Sequence, residues 1–238
     1  MLTVRGVSKE FGKKAVLTDV SLEFESGIYG LLAPNAAGKT TLIKLLATLL
    51  FPTKGEILYG GTDIAALGEM YREKLGYLPQ EFGYYKSHSP RRYLEYLAVL
   101  KGVVDADEQI DTLLDLLALS DVKDKKMSKF SGGMVRRVGI AQALLGDPDI
   151  LILDEPTSGL DPNERARFGE IISDYANRGK TVIFSTHIVS DVENAASMVV
   201  MLKDQGLLYC DSPAGICGAL GAGSLEDAYA LVYMDGAG

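Results

Sequence analysis

The chain is poor in cysteine and histidine, with two of each among 238 residues, and it has no excess of positive charge. Cys210 and Cys217 show no metal-ligand spacing, so a thiolate metal site and a disulfide scaffold are set aside and both read as packed thiols. A net charge of −8 argues against broad electrostatic binding to nucleic acid, and no nucleic-acid partner is expected. The basic stretches that occur, residues 123–129 and the pair Arg136 and Arg137, are short. They read as a solvated loop and a helix face. Long apolar runs are missing too. The "ILIL" of residues 150–153 falls far short of the roughly 18 residues a membrane span needs. The opening "MLTVRGVSKEFGKK" is polar and alternating, without the apolar core of a targeting signal. The expectation is a cytosolic chain, or one that sits on a membrane only through a partner. There is no internal repeat and no low-complexity linker.

What is present is alternation of strand and helix patterns. Residues 16–25 alternate apolar and polar, and residues 27–33 ("GIYGLLA") read as a buried strand. Residues 41–50 carry Leu42, Leu45, Leu46 and Leu49 at helical spacing. Residues 55–61 ("GEILYGG") read as a strand entering a turn, and residues 75–79 as a short extended piece. From 81 to 146 the pattern turns helical, as in "RRYLEYLAVLKG" and "DEQIDTLLDLLAL". Residues 149–155, 181–187 and 198–203 are then unbroken apolar runs, which suit parallel strands covered on both faces. Asp161, Pro162 and Glu164 form a capping-box start for the helix that follows. Residues 211–220 and 224–232 read as two short helices, begun by Ser212 before Pro213 and by Ser224 with Asp227. The fold class is α/β with a mostly parallel sheet.

Two segments carry chemistry. In "APNAAGKTT" (residues 33–41), Gly38, Lys39 and Thr40 end a phosphate-binding loop, between a buried strand and an amphipathic helix. Such a loop aims backbone N–H groups at an anion, offers a lysine to the outer phosphates and a hydroxyl to magnesium. Ala33 and Ala36 stand where glycine would be expected. In "ILILDEP", Asp154 and Glu155 follow a buried strand, as a Walker B element that would hold magnesium and polarise water. Each alone could be a helix start or a solvated turn; together, on strand ends of one sheet, they point to nucleotide hydrolysis.

Further residues resemble the ATP-binding cassette family. "FSGGM" (residues 130–134), just upstream of "ILILDEP", resembles its LSGGQ signature, with Phe130 for Leu and Met134 for Gln. Gln80 in "LPQE" resembles the Q-loop, Asp161 in "SGLD" the D-loop, and His187 in "STH" the switch histidine. Phe11 matches the aromatic position that stacks on adenine. The resemblance spans residues 4–231 and implies an export-type ATP-binding subunit. Its fold would be a P-loop NTPase (RecA-like) core with an N-terminal antiparallel β subdomain. Residues 1–238 would form one nucleotide-binding domain, and residues 81–146 an inserted helical subdomain carrying the signature.

The family implies ATP and Mg2+, held by Phe11, Asn35, Ala36, Ala37, Gly38, Lys39, Thr40 and Thr41, with Thr40, Gln80 and Asp154 on the metal side. Glu155, His187 and Gln80 would be catalytic. Ser131, Gly132 and Gly133 would act on ATP held by a second cassette, paired head to tail, with Asp161 beside them. A separate transmembrane subunit would place the chain at the cytoplasmic face of the membrane. The aromatic stretch 80–97 would touch that subunit; a helix-packing surface explains it equally well. Two alternatives share these motifs. One is a soluble ATPase of the superfamily acting on DNA or ribosomes, against which stand the acidic charge, the absence of coiled-coil arms and the single cassette. The other is a silent or weakened cassette serving as a regulatory partner, for which Ala36 speaks. That position often demands a positive φ, where a Cβ costs roughly 1–2 kcal/mol.

Overall fold

The computed structural model describes residues 1–234. Two long strands, β1 (Leu2–Phe11) and β2 (Lys14–Phe24), form a hairpin, and β3 (Gly27–Leu32) leads through the phosphate loop into α1 (Lys39–Leu46). β4 (Lys54–Tyr59) and β5 (Thr62–Asp63) follow, then the one-turn helices α2 (Ile64–Leu67) and α3 (Glu69–Arg72), and β6 (Leu75–Leu78). Helices α4 (Pro90–Lys101), α5 (Ala106–Leu116) and α6 (Gly132–Leu144) come before β7 (Ile150–Asp154). The chain continues through α7 (Pro162–Asn177), β8 (Thr181–Thr186), α8 (Val189–Ala195), β9 (Met198–Lys203) and β10 (Gly206–Asp211). It closes with α9 (Pro213–Leu220) and α10 (Leu225–Tyr233).

Two sheets result. One is antiparallel, in the order β2-β1-β4-β5. The other runs β10-β9-β3-β8-β7-β6, parallel throughout except for β10 at its edge. Every residue of β7 and β8 is buried, as their unbroken apolar runs require. Alternation along β7 divides the core. Ile150 and Ile152 join the cluster around α1 and the antiparallel sheet, whereas Leu151 and Leu153 join the cluster with α6 and α7. The parallel register sets Leu32 beside Thr186 and Asp154 beside Ser185, so β3, β8 and β7 end level with one another. Loops that leave these ends share one edge, where open α/β sheets bind their ligands.

The capping box at Asp161 forms as read: its carboxylate accepts from the Glu164 amide at 2.8 Å, and Glu164 accepts from the Asp161 amide at 3.0 Å. Ser212 and Ser224 cap α9 and α10. Cys210 and Cys217 are free thiols. Some boundaries differ. Helix α1 ends at Leu46, not near 50, because Thr48 takes a left-handed φ of 57°; Leu49, counted in the apolar stripe, is exposed. Asp211 ends the strand β10 and does not open a helix. β10 is a half-exposed edge strand without clean alternation, so no period-2 signal marked it.

Candidate nucleotide site at the parallel sheet edge

The loop after β3 wraps around its own lysine. Lys39, only 6% exposed, directs its ammonium at the carbonyls of Ala33 and Pro34, the latter at 3.1 Å. Burial pulls this ammonium below the ordinary lysine value, and the carboxylates of Glu155 and Asp154 act in the opposite direction. Gly38 has φ 105°, and a Cβ there would meet the Leu17 side chain at 2.7 Å and the Val16 carbonyl at 3.2 Å. Glycine is obligatory at this point. Ala36 adopts φ 66° and is exposed, so a Cβ sits in the strained backbone region at the surface of the loop. Ala33 is fully buried and is not among the positive-φ residues; its departure from the glycine pattern carries no strain.

At the end of β7, Asp154 is 1% exposed. Its Oδ1 accepts from Ser185 Oγ at 2.5 Å and lies 3.5 Å from Thr40 Oγ1, while Oδ2 is buried without a hydrogen-bond partner among the described residues. A carboxylate oxygen left unpaired in this way, next to a hydroxyl from the phosphate loop, suits a hard divalent cation. Glu155 takes φ 53°. Its amide donates to Ser185 Oγ at 3.0 Å, and its Oε2 lies 2.9 Å from His187 Nδ1. The His187 side chain is 55% exposed and faces outward from that pair.

A cavity of about 650 Å³ lies on the phosphate loop. It is lined by residues 34–41 together with Lys14, Ala15, Val16, Gln80, Glu155, Asp204 and Gln205. Asn35, Ala36, Ala37, Gly38, Lys39, Thr40 and Thr41 are therefore gathered with Gln80 and Glu155, as the motifs imply. A larger cavity of about 830 Å³ lies between α3, α4 and α5, but it contains no phosphate-loop backbone, and chemistry outweighs size. Phe11 does not line the nucleotide cavity. It is half exposed at the tip of the β1–β2 hairpin, paired with Lys14, and Lys9 sits 5.2 Å from its ring centre. Ser131, Gly132 and Gly133 are also outside the cavity. Ser131 caps α6 by accepting from the Met134 amide, and Gly133 packs against the Gly159 carbonyl and Glu164. The signature turn thus lies against the Asp161 segment.

Sequence reading missed three contributors. Ser185 was passed over beside His187, yet it ties Asp154 to the Glu155 amide. Asp204 and Gln205 arrive from the β9–β10 turn, which no motif marks. Arg136 is a further one: read only as part of a helix face, it lies on the buried face of α6, 6% exposed and bonded to carbonyls at both loop ends. Helical spacing from Gly133 through Arg136 to Ile140 and Ala143 would have placed it on the inner face of α6.

A family profile described as "ABC transporter" matches residues 17–158. The chain belongs to the ABC transporter family. The linearmycin resistance ATP-binding protein LnrL of Bacillus subtilis is 30% identical, over 94% of this chain and 73% of that protein. The lantibiotic transport ATP-binding protein SrtF of Streptococcus pyogenes is 34% identical, over 84% of this chain and 85% of its own length. An uncharacterized ABC transporter ATP-binding protein of Nostoc is 41% identical over 79% of this chain, which spans 56% of that longer protein. A solved structure of an ATP-binding subunit of an ABC transporter superposes with a TM-score of 0.89 at 27% identity, covering 98% of this chain and 99% of that one. The fold is that of a P-loop ABC ATP-binding subunit, an ATPase that powers transport. Among the described residues no helix is long and apolar enough to cross a membrane.

Proposed function

We propose that this ABC subunit hydrolyses ATP at the level edge of β3, β8 and β7, with Glu155 as general base. The observation that carries the reading is the 2.9 Å contact of Glu155 with His187, beside a buried lysine in a phosphate loop. Lys39 binds the outer phosphate oxygens, and the backbone N–H groups of Asn35 through Thr41 cradle the inner ones. Glu155 takes the proton of the attacking water. His187 donates from Nδ1 to the Glu155 carboxylate and so steadies it for the attacking water beside the γ-phosphate. Thr40 and Asp154 would hold Mg2+, with Gln80 on the same side; the unpaired Asp154 Oδ2 supports this. When held by these residues, Mg2+ would supply positive charge to offset that of the phosphates. Adenine stacks on Phe11 where the base leaves the cavity beside Lys14, exchanging the Lys9 contact for a flat ring contact.

The chain acts with a second cassette, head to tail. Ser131, Gly132 and Gly133 then present the N-terminus of α6 to the partner's ATP, with Asp161 alongside, and residues 81–146 serve as the helical subdomain that carries them. A separate transmembrane subunit docks on the Gln80–Leu97 region and keeps the chain at the cytoplasmic face. In that region Phe82, Tyr84 and Tyr93 pack inward while Tyr85 and Tyr96 stay exposed, 6.0 Å apart, which supports an outer contact surface. The relatives named for linearmycin resistance, lantibiotic transport and Nod factor export support an exported cargo. Ala36 favours a second, graded reading, in which its φ of 66° slows turnover without abolishing binding.

The test replaces the base. Glu155→Gln should lower ATP turnover by about 100-fold or more, the usual worth of a general base, and hold an ATP-bound dimer. A Glu155→Gln chain that stays monomeric under saturating ATP, or turns over normally, removes the assignment.

A further inference from the structure

One side chain outside the catalytic motifs touches both loops that carry catalytic residues. The Arg136 guanidinium, on α6, has Nη1 3.0 Å from the carbonyls of Pro79 and Gln80. Its Nη2 reaches the carbonyls of Asp154 and Glu155, and Nε donates to Pro156 at 3.3 Å. Five backbone acceptors, two after β6, one at the last residue of β7 and two just after it, thus converge on one planar donor set at 6% exposure. Carbonyls turned inward at a buried loop junction need donors, and an arginine presents five in a fixed plane. Glu155 needs such support. Its φ of 53° is one an L-residue leaves unless its surroundings hold it.

We propose that Arg136 is the positioning residue that locks the Gln80 loop to the Glu155 turn, so that Gln80 and Glu155 meet the nucleotide as one unit. The inference deepens the hydrolysis reading and rests on it. Arg136 lies just beyond the first turn of the helix that Ser131 caps, so a displacement of the signature turn moves the clamp directly. The neighbouring Arg137 has a different task, pairing with Glu164 at 3.2 Å and with the carbonyls of Leu117 and Ala118. A lysine cannot replace Arg136. Its ammonium is a single point and reaches only part of the two-loop set.

The experiment compares the full chain with Arg136→Met, Arg136→Lys, Gln80→Ala and the double variant Arg136→Met with Gln80→Ala. ATP turnover is measured alongside hydrogen exchange at residues 80–84 and 155–159. Arg136→Met should lower kcat about 30-fold, within the reach of a small displacement of catalytic groups, and move KM for ATP by less than about twofold. Exchange should rise in those two segments and stay level through the rest of α6. Adding Gln80→Ala should lower kcat by no more than about twofold further, since both changes act on one unit. Arg136→Lys should recover less than half of the loss. A folded Arg136→Met with unchanged kcat overturns the proposal. So does a rise in KM matching the fall in kcat, with exchange raised along all of α6, or losses that multiply in the double variant. Should Arg136→Met fail to fold, Arg136→Lys decides alone, and full activity in it overturns the role. Glu155→Gln is run in parallel. If it turns over as fast as the unchanged chain, the hydrolysis reading fails and the Arg136 role falls with it; if only the Arg136 variants are silent, that reading stands.

Discussion

Ala36 at φ 66° and Glu155 at φ 53° both take left-handed backbone angles at the site, as do Asp204 and Gln205 in the β9–β10 turn, yet the surroundings of the first two could hardly differ more. Glu155 is buried, with its amide on Ser185, its carbonyl on Arg136 and its carboxylate on His187. Ala36 is exposed, on a loop whose backbone is fixed mainly by Gly38 and by the fold-back of Lys39. Strain held by several contacts serves to aim a side chain, whereas strain on an open loop aims nothing and is a residue choice the fold tolerates. One turn is built around its strained residue, and the other merely contains one.

That contrast can be broken at either turn. The largest effect is expected at Gly38→Ala. A Cβ 2.7 Å from Leu17, added to φ 105°, should cost at least about 2 kcal/mol and abolish nucleotide binding, read by thermal melting and ATP titration. Retained binding would mean that the loop is looser than its contacts imply. Ser185→Ala removes the acceptor of the Glu155 amide and a donor to Asp154 at once. A loss of about 2 kcal/mol in chemical denaturation is expected from the unpaired groups, with turnover falling further than stability explains. A stable, active Ser185→Ala chain would show that the Glu155 turn does not need its support.

The Lys39 ammonium gives a pH signature. Its value lies below the ordinary lysine value, so the charge that holds phosphate is lost as pH rises through that lowered value. ATP affinity should therefore fall on the alkaline side before a surface lysine would deprotonate. Lys39→Arg should flatten the profile, because arginine stays charged. A profile unchanged by that substitution would put the titration elsewhere. The smallest effect belongs to Ala36→Gly. Relief of the left-handed strain is offset by the extra freedom of an unfolded glycine, which leaves a gain of under about 1 kcal/mol. ATP affinity or turnover should rise by at most a few-fold; equal values for both chains would mean that Ala36 is neutral.

Much of this was legible along the chain because it depends on spacing. Lys39 and Thr40 after a buried strand, Asp154 and Glu155 after another, and the capping box at Asp161 are local patterns. The strand runs of β7 and β8 announced burial on two faces, and every residue of both strands is buried. The edge strand β10 was not legible, since half-exposed strands lack a period. Nor was the end of α1, where Leu49 continued an apolar stripe that the backbone had already left. Arg136 was read only as part of a helix face, without saying which; its neighbours on α6, at three- and four-residue spacing, pointed inward.

The chain alone determined which groups are available: a lysine and hydroxyl on a loop, two carboxylates, a histidine, a signature turn and too few apolar residues in any one run to cross a membrane. Those follow from composition and period, which act within a few residues. Only the folded molecule decided how the groups are held. It brought Ser185 between Asp154 and Glu155, left Asp154 Oδ2 unpaired, kept Phe11 outside the cavity, and set Arg136 across carbonyls 56 and 18 positions away in sequence. The physical reason is that burial and donor-acceptor pairing are properties of packed neighbours, and parallel strands choose their neighbours across the sheet, not along the chain.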